Sequence, residues 1–152
     1  MQNVTEKGNN RNQIKMYYHA RGCLELKTGQ CELARTDINK ALEHSSAEFN
    51  ELLGRDMQAL FYSDLSRVFL NSGVREKAIR ILEKIPRLTT GRFFYGDVYA
   101  LSFYRLGVLY QMRGWEGKAI DCFRRFLKIW KSADSHQREL KDAGLRLSRL
   151  GG

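Results

Sequence analysis

FYRLGVLYQMRGWEGKAIDCFRRF, residues 103–126, is the stretch whose spacing decides the fold. Phe103, Leu106, Gly107 and Tyr110 fall at offsets of three, four and seven. Gly114 interrupts, and Ala119, Phe123 and Phe126 follow at offsets of four and three. A helix collects each set on one face, so the stretch predicts two short antiparallel helices closed by a glycine turn. The same spacing occurs twice more. Twelve residues separate Gly107 from Ala119, Ser66 from Ala78 and Gly22 from Ala34, and the glycines Gly114, Gly73 and Gly29 each follow seven after the first small residue. Repetition of this kind predicts stacked helical hairpins and a binding surface, not one closed core.

With those residues in view, the pattern resembles the tetratricopeptide repeat, whose signature runs aromatic, Leu-Gly, Tyr, Ala, Phe, Pro. The best window is Phe103, Leu106, Gly107, Tyr110, Ala119, Phe123. The second is Tyr62, Leu65, Ser66, Phe69, Ala78, Leu82, with Ile85 next; the first is Tyr18, Arg21, Gly22, Glu25, Ala34, Ile38, Ala41. The closing proline is missing from all three. Arg21 and Glu25 put charges where the pattern wants apolar groups, which fits an N-terminal capping repeat. The repeats are long: 44 residues from Gly22 to Ser66 and 41 from Ser66 to Gly107, against about 34 in the family. The segment from Tyr95 to Asp134 also looks like the last repeat of bacterial multidomain proteins that append such arrays to signalling or regulatory domains.

The resemblance implies an all-α, right-handed solenoid of three hairpins with a C-terminal capping helix, about seven helices. Residues 1–11 are expected to fray, and 12–150 to form one domain, with repeats near 15–48, 59–92 and 100–133 and a cap over 136–150. The predicted helices run from Asn12 to Lys27, Cys31 to Ser45, an Asp56 cap to Asn71, Val74 to Ile85 before Pro86, an Asp97 cap to the residues before Gly114, Trp115 to Lys131, and His136 to Leu150. Residues 46–55 fit helix or loop, and 87–96 read as a loop carrying Arg92, Phe93, Phe94 and Tyr95.

Composition sets outer bounds. An apolar fraction of 43% supports a core, and no run of 18 apolar residues predicts a membrane span. Cys23, Cys31 and Cys122 show no metal-ligand spacing and no CxxC. An odd cysteine count and a polar N-terminus without a signal-peptide core point to a reducing, cytoplasmic location. The net charge of +9 is lopsided: residues 1–76 hold ten Lys/Arg and ten Asp/Glu, residues 77–152 sixteen and seven. Arg124, Arg125, Lys128 and Lys131, then Arg138, Lys141, Arg146 and Arg149, form a field that would attract nucleic acid or acidic partners. No nucleophile elbow, zinc-protease motif or P-loop occurs, so the chain reads as a non-enzyme without cofactor or metal.

In the family, the first helix of each hairpin lines a concave groove. By that resemblance the groove-facing places hold Met16, His19, Cys23 and Lys27, then Leu60, Ser63, Arg67 and Asn71, then Leu101, Tyr104, Val108 and Gln111. His19, Lys27, Ser63, Arg67, Asn71, Tyr104 and Gln111 are the candidates for contacting a protein or peptide partner. Family members that clamp a chaperone's C-terminal carboxylate carry Lys, Asn and Arg at places held here by His19, Cys23, Asp64, Tyr104 and Val108. None matches, so that ligand is not expected. The main reading is a protein-interaction scaffold, with nucleic-acid binding through the basic half as the alternative.

Overall fold

A computed structural model describes residues 11–45, 57–88, 95–130 and 138–151. Two compact units result, Met1–Phe94 and Tyr95–Gly152. Among the described residues all regular structure is helical. The first unit holds α1 (Arg11–Lys27), α2 (Cys31–Glu43), α3 (Gln58–Asn71), α4 (Arg75–Leu82) and a 3-10 turn at Ile85–Arg87. The second holds α5 (Gly96–Met112), α6 (Glu116–Ile129) and α7 (Arg138–Arg149). The expected fraying of residues 1–10, the ambiguous 46–55 stretch, the Asp56 cap, the loop residues Arg92, Phe93 and Phe94 and the break at Ala133–Ser135 lie outside the described residues.

The three hairpin turns are built alike. Gly29, Gly73 and Gly114 have φ of 78°, 74° and 73°, a left-handed conformation in which a side chain is strained. The residue after each glycine donates its backbone N–H five residues back: Gln30 to Glu25, Val74 to Phe69 and Trp115 to Tyr110, at 2.8–2.9 Å. Carbonyls left over at the helix end thereby gain partners. The glycine spacing in the sequence therefore reports a real geometric need.

The small residues within the helices mark close crossings. A Cβ on Gly22 would lie 2.7 Å from Ile38 Cγ1 and 3.3 Å from the Ala34 carbonyl oxygen. On Gly107 it would lie 2.7 Å from the Phe123 ring. Ala34, Ile38 and Ala41 of α2 are fully buried, as are Ala119, Phe123 and Phe126 of α6. Glycine inside a helix costs roughly 1 kcal/mol against alanine, and here the cost is offset by packing two helices nearly backbone to side chain.

Several helix ends differ from the sequence expectation by a residue or more, and two of the differences have reasons the chain supplies. α4 ends at Leu82, not Ile85. Pro86 lacks an N–H, and its ring would meet the carbonyl of the residue four before it, Leu82. The chain tightens into the 3-10 turn containing Pro86, and Ile85 is buried there. α5 begins at Gly96, so Asp97 sits in its first turn and Tyr95 takes the cap position without a side-chain capping bond. In α3 the fully buried aromatic is Phe61, while Tyr62 is only half-buried.

Candidate functional site

The most concentrated polar group lies between α1 and α3. His19 and Cys23 are four apart, so α1 projects both from one face. Asp64 meets them from α3. His19 Nε2 lies 2.9 Å from Asp64 Oδ2, Cys23 Sγ lies 3.4 Å from the same His19 Nε2, and Sγ donates to Asp64 Oδ2 at 3.5 Å. His19 and Asp64 are each 8% exposed. The Phe61 ring backs the imidazole at a centroid distance of 4.7 Å. Arg67 Nη1 donates to the other carboxylate oxygen, Asp64 Oδ1, at 3.2 Å.

Electrostatics follow from this arrangement. Burial alone would raise the Asp64 carboxyl, but the hydrogen bonds from His19 and Arg67 outweigh it and hold it below the usual carboxylate range. Burial, reinforced by the Asp64 charge, pushes the Cys23 thiol up to about 11. That thiol is protonated at neutral pH and is a poor nucleophile. The group is also not a catalytic triad, in which the two ring nitrogens of histidine face different partners. Here one nitrogen faces both sulfur and carboxylate.

Between α1 and α2 lies a second charged group. Arg21 donates from Nε and Nη2 to the two carboxylate oxygens of Asp37, and from Nη1 to Tyr17 Oη at 3.3 Å. Asp37 is 2% exposed. The forked pairing drives the Arg21 guanidinium still further up from its ordinary range. Glu25 stands beside them, its Oε1 3.7 Å from Arg21 Nε, and its Oε2 is buried without a hydrogen-bond partner. Burial first, then the neighbouring Asp37 charge, raises the Glu25 carboxyl. The two charges at apolar pattern positions are thus half-buried and directed at α2, where Asp37 is the counter-charge of Arg21 and a like charge to Glu25.

In the second unit, α7 reaches back to α5. Tyr104 Oη donates to Asp142 Oδ2 at 2.7 Å, Arg146 Nε donates to the same oxygen at 2.6 Å, and Arg146 Nη1 donates to Gln111 Oε1 at 2.7 Å. Burial and the Asp142 carboxylate push the Tyr104 phenol up to about 12. Burial works against the Asp142 charge, but Arg146 and Tyr104 prevail and lower its carboxyl.

The candidates read from the sequence therefore separate. His19 and Ser63 are buried, Tyr104 and Gln111 are half-buried with polar atoms bonded to α7, and Lys27, Arg67 and Asn71 are exposed. His19 and Arg67 meet through Asp64. Asp64, Asp142 and Arg146 were not among the candidates, because each finds its partner through the tertiary fold. The His19/Cys23 spacing was the one local signal, since i and i+4 share a helix face. On the outer side of α1, Met16, Ala20, Leu24 and Lys27 form an exposed stripe, with Leu24 62% exposed. In the second unit Arg124, Arg125, Lys128, Arg138, Lys141 and Arg149 are exposed. No described helix is long and apolar enough to cross a membrane. No protein-family model matches the chain, and no curated protein matches it.

Proposed function

We propose that the chain is a tetratricopeptide-like scaffold, a right-handed solenoid of hairpins, that binds a peptide or protein segment along the face shared by α1 and α3. The observation that carries this reading is the exposed mixture on that face. Met16, Ala20, Leu24 and Lys27 of α1 and Arg67 and Asn71 of α3 are exposed, on the two helices that the buried His19–Asp64 contact joins. Apolar side chains next to a guanidinium suit an amphipathic or extended segment carrying a carboxylate or free carbonyls. In the second unit, Tyr104 and Gln111 have their polar atoms bonded to α7.

The test is a partner captured from the source cell, reduced to its binding segment and titrated against wild type, Leu24→Glu and Arg67→Ala. Both variants are expected to melt within a few degrees of wild type and to bind at least about fivefold more weakly, roughly 1 kcal/mol each. Unchanged binding by both would sink this assignment of the face.

A second reading rests on the exposed basic residues Arg124, Arg125 and Lys128 of α6 and Arg138, Lys141 and Arg149 of α7. They would bind nucleic acid or an acidic partner through charge, without sequence preference. Such binding weakens steeply between about 50 and 200 mM salt, whereas binding at an apolar face does not. A tight, sequence-selective nucleic-acid complex at physiological salt would put this reading ahead of the scaffold.

A further inference from the structure

Among the described residues, one group of three side chains converges as metal ligands do: His19, Cys23 and Asp64. We infer that His19 Nε2, Cys23 Sγ and Asp64 Oδ2 form a three-ligand zinc site that fastens α1 to α3.

The geometry carries the inference. With zinc bond lengths of about 2.0–2.3 Å, ligand atoms on one tetrahedral ion lie about 3.2–3.7 Å apart. The two separations involving sulfur, 3.4 Å to nitrogen and 3.5 Å to oxygen, fall in that range. The nitrogen–oxygen separation of 2.9 Å is a hydrogen-bond distance and opens by a few tenths of an ångström on a turn of the carboxylate.

Without an ion, this convergence holds together through protons. The imidazole donates from Nε2 and the thiol from sulfur, both to Asp64 Oδ2, and no proton is left to lie between nitrogen and sulfur. Zinc takes the place of both protons. The thiol proton leaves to solvent, the imidazole proton moves from Nε2 to Nδ1 by exchange with water, and Nε2, S⁻ and Oδ2 each present a lone pair to the ion. One thiolate and one carboxylate then neutralise the divalent charge. Arg67 adds a positive charge nearby, but its side chain is 53% exposed and so well screened. Its bond to Oδ1 leaves Oδ2 as the oxygen that faces the other two ligands.

The donor set chooses the metal. Thiolate with imidazole and one carboxylate suits a borderline-soft ion of tetrahedral preference, and excludes magnesium and calcium, which take oxygen ligands. Three protein ligands leave a fourth position for water or a side chain of a bound partner. Cys23, the half-buried member, places that position on the edge of α1 toward solvent. The site stands independently of any partner and needs none for its test.

The test uses the full chain, reduced and stripped of metal, with cobalt(II) as the spectroscopic probe. Expected are a thiolate-to-cobalt charge-transfer band and strong tetrahedral d–d bands, both displaced by zinc binding at about 1 μM or tighter. Cys23→Ser should abolish the charge-transfer band, Asp64→Asn should weaken binding about tenfold or more, and Cys31→Ser should change neither. In wild type, zinc should slow alkylation of Cys23 at least about tenfold while leaving Cys31 unchanged, read by mass spectrometry. This last measurement decides the matter if Cys23→Ser or Asp64→Asn fails to fold. The proposal is overturned if folded wild type gives only the weak spectrum of hydrated cobalt, if the band survives Cys23→Ser, or if zinc leaves Cys23 alkylation unchanged.

Discussion

The two units tie a later helix back to an earlier one by polar contacts, but in opposite surroundings. In the first, His19 meets Asp64 with both side chains buried, and Arg21 meets Asp37 with the carboxylate almost wholly enclosed. In the second, Tyr104, Asp142, Arg146 and Gln111 join α5 to α7 at half-exposed positions. Water competes for the second set, so each of its bonds contributes little net stability. The first set has traded hydration for partners, so losing one partner leaves a buried polar group alone. The same bond count therefore means different things: specificity of packing in one unit, a solvated latch in the other.

The largest expected effect disregards that difference and strikes the apolar crossings common to both units. Ala119→Glu places a charge where the native side chain is fully buried, and Gly107→Leu drives a side chain into the Phe123 ring. Each should cost several kcal/mol, Ala119→Glu the more. Melting curves by circular dichroism check this, and midpoints near wild type for both would show the α5–α6 packing to be wrong.

Next in size is the contrast itself. Asp37→Ala strands Arg21 and should cost about 2–4 kcal/mol, below the full buried-pair penalty because Arg21 keeps some contact with water. Asp142→Ala removes acceptors from a wetter network and should cost about 1 kcal/mol or less. Denaturant unfolding of the two variants side by side measures the ratio. Equal losses would mean that burial does not set the value of these contacts.

The smallest effect carries a sign. Glu25 is raised by burial and by Asp37. An acid with a raised folded-state value favours the fold when protonated. Its contribution is complete below the ordinary glutamate value of about 4.3 and is lost as pH climbs through the folded value. Glu25→Gln should therefore raise the midpoint by about 1–3 °C at pH 7 and make no difference near pH 4. Asp64 and Asp142 behave oppositely. Both are lowered, so their contribution is present above about 3.9 and disappears as pH falls through the folded values. A Glu25→Gln variant less stable than wild type at pH 7 would show that its carboxylate has a partner after all.

Much of the fold was legible because it rests on local chemistry. Helix periodicity and the turn glycines Gly29, Gly73 and Gly114 are requirements that neighbouring residues impose on one another. The end of α4 was less so, because a proline acts on the carbonyl four residues before it rather than where it stands. The candidate site was legible only as a set of helix faces. His19 could be assigned to a helix face, but its burial depends on Asp64 and Phe61, more than forty residues away. Tyr104 and Gln111 looked available until α7 engaged them, and a one-dimensional pattern does not show which helix covers which face. Arg21 and Glu25 read as the charges of a capping repeat for the same reason: Asp37, which pairs with Arg21 and repels Glu25, lies on the partner helix.

The three-residue turns at 28–30, 72–74 and 113–115 also shape how the chain finds its structure. Helices joined so tightly meet after closing a very short loop, an event of tens of nanoseconds in chains of this kind. Each hairpin can form early and by itself. The long-range ties come later, since His19 must find Asp64 across 45 residues and Tyr104 must find Asp142 across 38. Closing loops of that length carries a larger entropic cost. Folding should therefore run in two tempos, fast zippering of hairpins followed by slower docking of helix on helix, with the polar ties forming among the last contacts.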